Sequence, residues 1–291
     1  SKKGIKINVL HIHDIYTAPV IQFINANKLI LDLHELYEHV PKASYFRRRY
    51  VRYLQDKYIK FFHQLITINS DIAHEYKNKL KQEPKIIMNA SERVKSEKNF
   101  IVEKELSNFV KGKKVLLFQG GLSEFRGLEV LIEAVKLFNE DWVVVLIGWG
   151  NLEESLKKQI KRNNLQEKIL ILPPVSQNKL PNYTAIASLG AILYEDNCLN
   201  HSFCTPNKIW EYARMGVPII CGKTKTMADM INDNEIGFST DLDHEKIALL
   251  INDIDEKSLG QLSKNALKFF SKNNWDVEEQ KLKMIYNKLG D

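Results

Sequence analysis

Residues 115–127 read Val-Leu-Leu-Phe-Gln-Gly-Gly-Leu-Ser-Glu-Phe-Arg-Gly, and this segment carries the strongest structural signal in the chain. Its apolar start, Val115–Phe118, predicts a short buried strand, and the two adjacent glycines after it predict a tight turn. Apolar residues at helical spacing follow at Leu128, Leu131, Val135 and Phe138. A buried strand, a glycine turn and an amphipathic helix make up half of a βαβ unit, which is the element from which parallel sheets are built.

The same alternation of short apolar runs and helical patterns continues on both sides of this segment. Upstream strands are predicted at Ile7–Ile12, Lys28–Leu33, Leu65–Ile68 and Lys85–Met88. Downstream strands are predicted at Trp142–Ile147, Ile169–Leu172, Leu189–Leu193 and Pro218–Cys221. Residues 91–112 are charged and lack an apolar period, so they form the predicted linker between the two series. We therefore expect an α/β protein with two doubly wound Rossmann-like domains.

Length and composition agree with two ordinary globular domains. The chain has 291 residues, of which 44% are hydrophobic and 27% charged, and no apolar run is long enough for a membrane span. Its start lacks the apolar stretch of a signal peptide. The three cysteines match no zinc or redox spacing, so they predict reduced thiols in a cytoplasmic protein. The net charge of +6 is concentrated in the N-terminal half, which suggests an anionic partner or a solvated basic surface there.

Ligands of open parallel sheets lie beyond the carboxyl ends of the strands, so the loops that follow the strands are the candidate sites. Gly120 and Gly121 leave the backbone uncovered, so its N–H groups can approach a ligand closely. Arg126 can add a bidentate contact to a phosphate. After the next strand, Gly148 either gives a base or ribose room against the backbone or serves a plain structural turn.

Residues 205–218 predict a helix of about ten residues with a marked beginning and end. Thr205 is a suitable N-cap, Pro206 suits the first helical position, and Gly216 suits the C-terminal stop. The first turn of such a helix offers free N–H groups to an anion. Lys208 adds a positive charge near that end, where a cation is unfavourable unless an anion is bound.

Asn207 and Glu211 are four residues apart and share a face of this predicted helix. A carboxylate one turn beyond a phosphate site can accept hydrogen bonds from a ribose diol. The alternative is that Glu211 forms an ion pair with Arg214 or Lys208 at the surface.

These segments resemble a known family. Residues 117–134 resemble the start of the nucleotide-binding domain of glycosyltransferase family four, and residues 206–220 resemble its donor-binding helix. Further segments resemble successive family motifs in family order, at residues 11–19, 32–35, 66–71 and 88–91. Asn274-Trp275 resembles the start of the family's C-terminal helix, so the resemblance covers nearly the whole chain.

The resemblance implies the GT-B fold, in which two Rossmann-like domains face each other across a cleft that holds the donor. Residues 1–110 would be a shortened acceptor-side domain, residues 111–272 the nucleotide-sugar-binding domain, and residues 273–291 a C-terminal helix packing back on the N-terminal domain. The implied reaction moves a sugar from a nucleotide diphosphate-sugar to a glycan or lipid-linked acceptor with retention. No metal or other cofactor is expected, and the implied setting is surface polysaccharide or glycolipid synthesis.

Family roles transfer to particular residues. Arg126 matches a basic phosphate contact, Glu211 matches the glutamate that holds the ribose, and Lys208 and Asn207 lie at the start of the donor-binding helix. His34 matches a histidine that faces the transferred sugar, although a structural core histidine is the alternative. The predicted catalytic residues are therefore His34, Arg126 and Lys208.

The chain departs from the family pattern at two positions that contact the donor. Many members have Gly-Arg where this chain has Gly120-Gly121, so one phosphate-binding arginine is absent. Phe203 stands where many members have a glutamate that contacts the donor sugar. These differences leave the sugar of the donor unassigned.

A basic and aromatic segment, Tyr45–His63, has helical spacing and adds a possible membrane partner. It predicts peripheral contact with an anionic surface at the inner face of the membrane, where a lipid-linked acceptor would lie. The alternative is an ordinary amphipathic helix with its aromatic residues toward the core. A nucleic-acid partner is not expected, because the chain contains no recognised nucleic-acid-binding motif.

Two other functions are compatible with the sequence. A nucleotide-sugar epimerase can share the two-domain fold. A non-catalytic subunit would bind the donor and depend on a companion chain for activity, and the short N-terminal half is the feature that most favours this interpretation.

Overall fold

The computed structural model describes residues 7–80, 82–93 and 102–290, which form two compact units. The first unit takes its described residues from Ser1–Ala90, Asn197–Thr205 and Trp275–Asp291, and the second from Ser91–Asp196 and Pro206–Asn274. Each unit is built around one parallel β-sheet. The chain therefore returns to the first unit twice after leaving it.

Ten strands and twelve α-helices are found in the described residues. The strands are β1 Ile7–His13, β2 Ala26–Leu33, β3 Gln64–Thr67, β4 Lys85–Ile86, β5 Lys114–Gln119, β6 Trp142–Ile147, β7 Ile169–Leu172, β8 Leu189–Ile192, β9 Ile219–Gly222 and β10 Gly237–Thr240. The helices are α1 Tyr45–Tyr58, α2 Ser70–Leu80, α3 Lys104–Phe109, α4 Leu128–Val135, α5 Glu153–Arg162, α6 Leu180–Thr184, α7 Leu199–Ser202, α8 Lys208–Ala213, α9 Lys225–Asp233, α10 His244–Asp253, α11 Glu256–Lys272 and α12 Trp275–Gly290. Short 3₁₀ segments lie at Ile15–Gln22, Tyr37–His39 and Ile59–Phe61.

The sheet of the first unit runs β1-β2-β3-β4 without a reversal of strand order. Side chains alternate between its faces, as a strand requires. Leu31, Leu33 and Leu65 face one core, which also contains residues of α1 and α2. Ile30 and Ile66 face the other side. Right-handed crossovers that all proceed in one direction place their helices on one face, so the opposite face needs another cover.

The C-terminal helix α12 supplies that cover. Side chains along it pack against the second face of the sheet, namely Trp275, Leu282, Ile285, Tyr286 and Leu289. Glu278 is fully buried in this contact, and its carboxylate accepts a hydrogen bond from the Met88 backbone N–H at 3.0 Å. The same carboxylate pairs with Lys281 at 2.7 Å, so its charge is not left uncompensated.

The sheet of the second unit has the order β10-β9-β8-β5-β6-β7. The chain first builds outward from β5 to β7 and then returns to build β8, β9 and β10 on the other side. The order therefore reverses between the neighbouring strands β5 and β8. In doubly wound sheets the ligand crevice lies at this switch point, outside the carboxyl ends of the strands.

The α/β architecture with two Rossmann-like units, typical of GT-B proteins, is confirmed, and every predicted strand is present with shifted ends at most. One strand, β10, was missed because Gly237–Thr240 contains only one large apolar residue. The predicted linker at residues 91–112 is wrong in part, since α3 forms within it around the buried Leu106. Residues 94–101 of that linker lie outside the described residues.

The unit boundaries differ from the predicted ranges 1–110, 111–272 and 273–291. Residues 91–93 and 102–110 belong to the second unit, and residues 197–205 belong to the first. The short helix α7 sits in that returning segment, and the Asn200 side chain accepts a hydrogen bond from the Leu36 backbone N–H at 2.8 Å. Such a return depends on contacts between distant parts of the chain, which local sequence patterns do not report.

None of the helices in residues 7–80, 82–93 and 102–290 combines the length and the apolar character needed to cross a bilayer.

Candidate functional site

The glycine loop after β5 is fastened to the loop after β6 by backbone hydrogen bonds. The Gly120 N–H donates to the Ile147 carbonyl at 2.8 Å, and the Leu122 N–H donates to the Trp149 carbonyl at 2.9 Å. The Leu152 N–H then donates back to the Leu122 carbonyl at 3.0 Å. The two loops thus form one rigid layer at the carboxyl ends of the central strands.

Gly148 is buried inside this layer, and its role in the structure is one of packing. A methyl group on its Cα would lie 1.8 Å from the Gly120 carbonyl oxygen, and its φ of +156° is rarely adopted by other residues. The structural alternative for Gly148 therefore has direct support, while contact with a base or ribose stays a prediction. Gly120 and Gly121 are exposed, as their predicted role requires.

Two cations meet on one aromatic ring beside the exposed glycines. The Arg126 guanidinium lies 3.8 Å from the centre of the Tyr194 ring. The Lys208 ammonium lies 3.1 Å from the hydroxyl of the same tyrosine and 5.3 Å from the ring centre. A methyl group on Gly120 would lie 2.7 Å from Cε of Lys208, so the lysine reaches directly over the glycine backbone.

The fold explains this convergence. Tyr194 follows β8, and Gly120 follows β5, so both stand at the switch point of the sheet. The Glu195 N–H donates to the Phe125 carbonyl at 3.2 Å and holds the two loops together beside Arg126.

Arg126 and Lys208 form no ion pair with a carboxylate in residues 91–93, 102–196 and 206–274, which are the described part of the second unit. Two adjacent positive charges repel each other, and an exposed backbone beside them adds no compensating negative charge. The arrangement becomes favourable when a polyvalent anion binds between them.

Glu211 is held by the side chain of Gln119, at the end of β5, rather than by a cation. Gln119 donates from Nε2 to Oε2 of Glu211 at 2.6 Å, and the Thr184 hydroxyl donates to the other end of the Gln119 amide at 2.9 Å. The alternative ion pair of Glu211 with Lys208 or Arg214 is not formed in the described structure. Burial lowers the pKa of Arg214, and the negative charge of Glu211 opposes that change.

The predicted ten-residue helix from Thr205 and Pro206 is wrong in its length and in its beginning. Helix α8 spans only Lys208–Ala213, and Asn207 occupies the N-cap without a capping side-chain hydrogen bond. The Ile209 N–H donates to the Pro206 carbonyl at 3.1 Å, and the Trp210 N–H donates to the Asn207 carbonyl at 3.0 Å. Those two donors are therefore unavailable to an anion, and side chains must supply most of the attraction.

Thr205 does not cap the helix because its hydroxyl is engaged elsewhere. The residue is buried in the first unit, where Asn69 donates from Nδ2 to the Thr205 hydroxyl at 3.2 Å and to the Phe203 carbonyl at 2.7 Å. Both interactions fasten the returning segment 197–205 onto β3 and α2. Asn207, in contrast, is exposed.

His34 lies in the first unit within a group that we call the histidine cluster: His11, His13, Asp32 and His34. The Asp32 carboxylate is 3.6 Å from a ring nitrogen of each of the three histidines. Nδ1 of His13 and Nε2 of His34 are 3.2 Å apart. Burial lowers the pKa of His13, and the neighbouring His11 lowers it further.

Next to the cluster, Asp14 accepts a short hydrogen bond from the Tyr37 hydroxyl. Burial raises the pKa of Tyr37, and the bond to Asp14 raises it further. The same hydroxyl accepts from the His34 backbone N–H at 3.2 Å, so His34 is held by its backbone as well as by the cluster. His34 is half-exposed, which leaves its ring accessible from solvent.

A family model for glycosyl transferases group 1 matches residues 76–269, which is two thirds of the chain. The chain belongs to glycosyl transferases group 1. The match includes the loops after β5 and β6 and helix α8, whereas His34 and the rest of the histidine cluster lie before its first residue. A comparison with curated proteins finds no significant relative.

Solved structures share the fold at low sequence identity. Anabaena HepE in complex with UDP-glucose is 18% identical, with a TM-score of 0.77 over 95% of this chain and 78% of that chain. Sucrose-phosphate synthase from Thermosynechococcus elongatus is 14% identical, with a TM-score of 0.74 over 97% and 73%. S. aureus TarM, solved with UDP, is 14% identical, with a TM-score of 0.69 over 97% and 55%.

Sequence reasoning missed several residues of the site. Tyr194 directly follows a predicted strand, and position at a strand end was a usable signal for it. Gln119 was read as part of the glycine loop, but its bond to Glu211 joins residues 92 positions apart. His11 and His13 lie in the family-like segment at residues 11–19, yet their proximity to Asp32 appears only when β1 pairs with β2.

Proposed function

We propose that this chain is a retaining member of glycosyltransferase family four. In this proposal it transfers a sugar from a nucleotide diphosphate-sugar to a glycan or a lipid-linked acceptor in surface polysaccharide or glycolipid synthesis. The observation that carries the proposal is the pair of cations, Arg126 and Lys208, that meet at the Tyr194 ring beside the exposed Gly120–Gly121 backbone.

The pyrophosphate of the donor would bind between these groups. Because Gly120 and Gly121 have no side chains, the pyrophosphate can approach their backbone closely. Arg126 offers a planar pair of donors that suits a phosphate, and Lys208 offers a compact point charge. As the glycosidic bond breaks, negative charge grows on the leaving phosphate, and each well-placed donor typically contributes about 3–4 kcal/mol to its stabilisation.

Glu211 is the proposed ribose contact. Gln119 occupies one carboxylate oxygen at 2.6 Å and so fixes the orientation of the side chain. The remaining acceptor positions suit the two hydroxyls of a ribose diol. A carboxylate that is oriented before the ligand arrives loses little conformational freedom on binding.

Retention requires that the acceptor attack from the side on which the diphosphate leaves, or that two inversions occur. We infer the first route, in which a leaving phosphate oxygen accepts the proton of the acceptor hydroxyl. Arg126 and Lys208 then do at the diphosphate what a divalent cation does in metal-dependent transferases, so the proposed transfer step needs no metal at that position. His34 as the residue facing the transferred sugar stays a prediction.

Helix α1 supports the proposal that the protein acts at the cytoplasmic face of a membrane. Its core side is formed by Val51, Leu54, Gln55 and Tyr58. Four other aromatic residues point outward and are between 50% and 80% exposed: Tyr45, Phe46, Tyr50 and Tyr53. The alternative, in which the aromatic residues of Tyr45–His63 face the core, holds for Tyr58 and Phe62. Exposed aromatic rings among arginines suit an anionic interface, where rings insert and guanidinium groups meet headgroups.

Donor binding tests the proposed site. The full chain is titrated by calorimetry with UDP-, GDP-, ADP- and CMP-linked sugars, beginning with UDP-glucose because HepE was solved with it. One base should bind selectively, and Arg126→Ala and Glu211→Ala should each weaken that binding at least tenfold. Unchanged affinity in both variants would refute the assignment.

Product analysis without an acceptor separates transfer from epimerisation, and addition of a companion chain tests for a non-catalytic subunit.

Vesicle binding tests the proposed membrane contact. Arg48→Ala and Arg49→Ala together remove two exposed charges from α1. At about 1 kcal/mol for each charge near an anionic surface, the double variant should bind phosphatidylserine vesicles roughly 30-fold more weakly. Lys158→Ala with Lys161→Ala, on α5, makes the same change in net charge and should have little effect. Equal binding to neutral and anionic vesicles would refute the contact.

A further inference from the structure

The histidine cluster contains two buried polar atoms that have no hydrogen-bond partner among the described residues. Asp32 is 7% exposed, and its Oδ1 atom has no hydrogen-bond partner among the described residues. Nε2 of His11 is also buried and unpartnered there. A separation of 3.6 Å is too long for a hydrogen bond, so the three imidazoles surround the carboxylate without satisfying it. Leaving such atoms unsatisfied is costly.

The same spacing fits a tetrahedral metal site. Zinc lies about 2.0–2.2 Å from nitrogen and oxygen ligands, which places neighbouring ligand atoms of a tetrahedron roughly 3.4 Å apart. Nδ1 of His13 and Nε2 of His11 each lie 3.6 Å from Oδ2 of Asp32. The candidate ligand atoms of His11, His13 and Asp32 all lie within 4.8 Å of one another. These separations need only small shifts to surround one ion.

Strand pairing and the Tyr286 hydroxyl hold the ligands in place. His11 and His13 are two residues apart on β1, and His13 pairs in register with Asp32 on the parallel strand β2, so the side chains share one face. Nδ1 of His11 lies 2.8 Å from the Tyr286 hydroxyl, which directs Nε2 toward Asp32. Metal-binding histidines characteristically use their second nitrogen in this way.

We propose that the histidine cluster binds one transition-metal ion of the Zn²⁺ class, with His11, His13 and Asp32 as the protein ligands and water in the fourth position. Two imidazoles beside one carboxylate favour Zn²⁺, Co²⁺ or Ni²⁺ over Mg²⁺, which prefers oxygen ligands. The His13 side chain is 60% exposed, so an ion can enter from solvent. Nε2 of His34 lies 3.2 Å from Nδ1 of His13, so an ion on His13 sits directly beside the residue proposed to face the sugar, and Zn²⁺ should inhibit transfer.

Metal binding is measured on the full chain after treatment with a chelator. To exclude thiol ligands, Cys198→Ser and Cys204→Ser are introduced as the background, since both cysteines are partly exposed. Calorimetric titration with Zn²⁺ should show one ion per chain. Co²⁺ should give the intense visible absorption of a tetrahedral site, and excess Mg²⁺ should not displace it.

Substitution of single ligands locates the ion. His13→Gln and Asp32→Asn should each weaken Zn²⁺ binding at least tenfold, and Tyr286→Phe should weaken it less, because that side chain acts only on the orientation of His11. His74→Gln, on the exposed face of α2, is the matched control and should bind as the background does. If Asp32→Asn fails to fold, the exposed His13→Gln still decides the question.

Three results would overturn the proposal: no Zn²⁺ binding by the background chain, no tetrahedral Co²⁺ spectrum, or equal affinity in His13→Gln and His74→Gln. The measurement uses no nucleotide-sugar, so it stands or fails independently of the proposed transferase activity.

Discussion

Replacement of Lys208 by methionine tests the proposed anion site most directly. The change keeps a long unbranched side chain and removes the ammonium group that lies 3.1 Å from the Tyr194 hydroxyl. Lys208 has no carboxylate partner in the described part of the second unit, so its removal leaves no unpaired negative charge. The free energy of unfolding should therefore change by less than about 1 kcal/mol.

Donor binding should respond much more strongly. A hydrogen bond to a charged group contributes about 1.5–3 kcal/mol, so loss of the ammonium should raise the Kd for the nucleotide diphosphate roughly 10- to 150-fold. Arginine should not rescue binding, because the lysine Cε already lies 2.7 Å from where a Gly120 methyl group would stand, which leaves little room for a guanidinium.

The assay is calorimetric titration of UDP, or of whichever nucleoside diphosphate the donor screen selects, into the wild-type chain and Lys208→Met. Lys158→Met is the control, because it removes the same charge from the exposed face of α5 in the same unit. A Kd for Lys208→Met within twofold of wild type would refute the placement of the diphosphate. So would an equal loss of affinity in Lys158→Met, because that result would indicate long-range electrostatics alone.

Other perturbations probe the scaffold and its electrostatics. Gly148→Ala should lower the free energy of unfolding, measured by urea denaturation, by at least about 2 kcal/mol, because its methyl group would overlap the Gly120 carbonyl. Gly260→Ala is the control: the new methyl group lies on a helix and meets no atom within 4 Å, so the change should be neutral or stabilising. Tyr194→Phe keeps the ring and should alter the nucleotide Kd less than threefold, whereas Tyr194→Ala should alter it more, and the reverse order in calorimetry would contradict the role of the ring. Hydrogen bonds lower the pKa of Glu133 from 4.5 to about 2, so its contribution to stability is complete above pH 4.5 and is lost as the pH falls toward 2; Glu133→Gln should flatten the unfolding free energy across that window.

Much of the fold follows from local sequence pattern. Strands such as Trp142–Ile147 are buried on both faces and therefore consist of unbroken apolar runs, which are visible without any structure. Strand β10 was not predicted, because a short edge strand that begins with glycine has too little apolar character to be recognised from its sequence. The glycine loop and Arg126 were found for a similar reason, since parallel sheets always present their ligand loops at the same strand ends.

Local pattern was misleading where a side chain had two possible partners. Thr205 and Pro206 form a good helix start by their own preferences, yet the Thr205 hydroxyl binds Asn69, which is 136 residues away in the chain. A capping preference of about 1 kcal/mol is easily outweighed by burial and a competing hydrogen bond. The helix consequently begins at Lys208, and the N–H groups of Ile209 and Trp210 in its first turn donate to the Pro206 and Asn207 carbonyls.

The amino-acid sequence alone was sufficient for the alternation of strands and helices and for the α/β class with two Rossmann-like units, because each of these depends on neighbours in the chain. Only the tertiary structure placed Tyr194 between Arg126 and Lys208, joined Gln119 to Glu211, and gathered three histidines around Asp32. Those groupings arise from strand order and register, and the free energy that sets them comes from burial of the whole core rather than from any local segment.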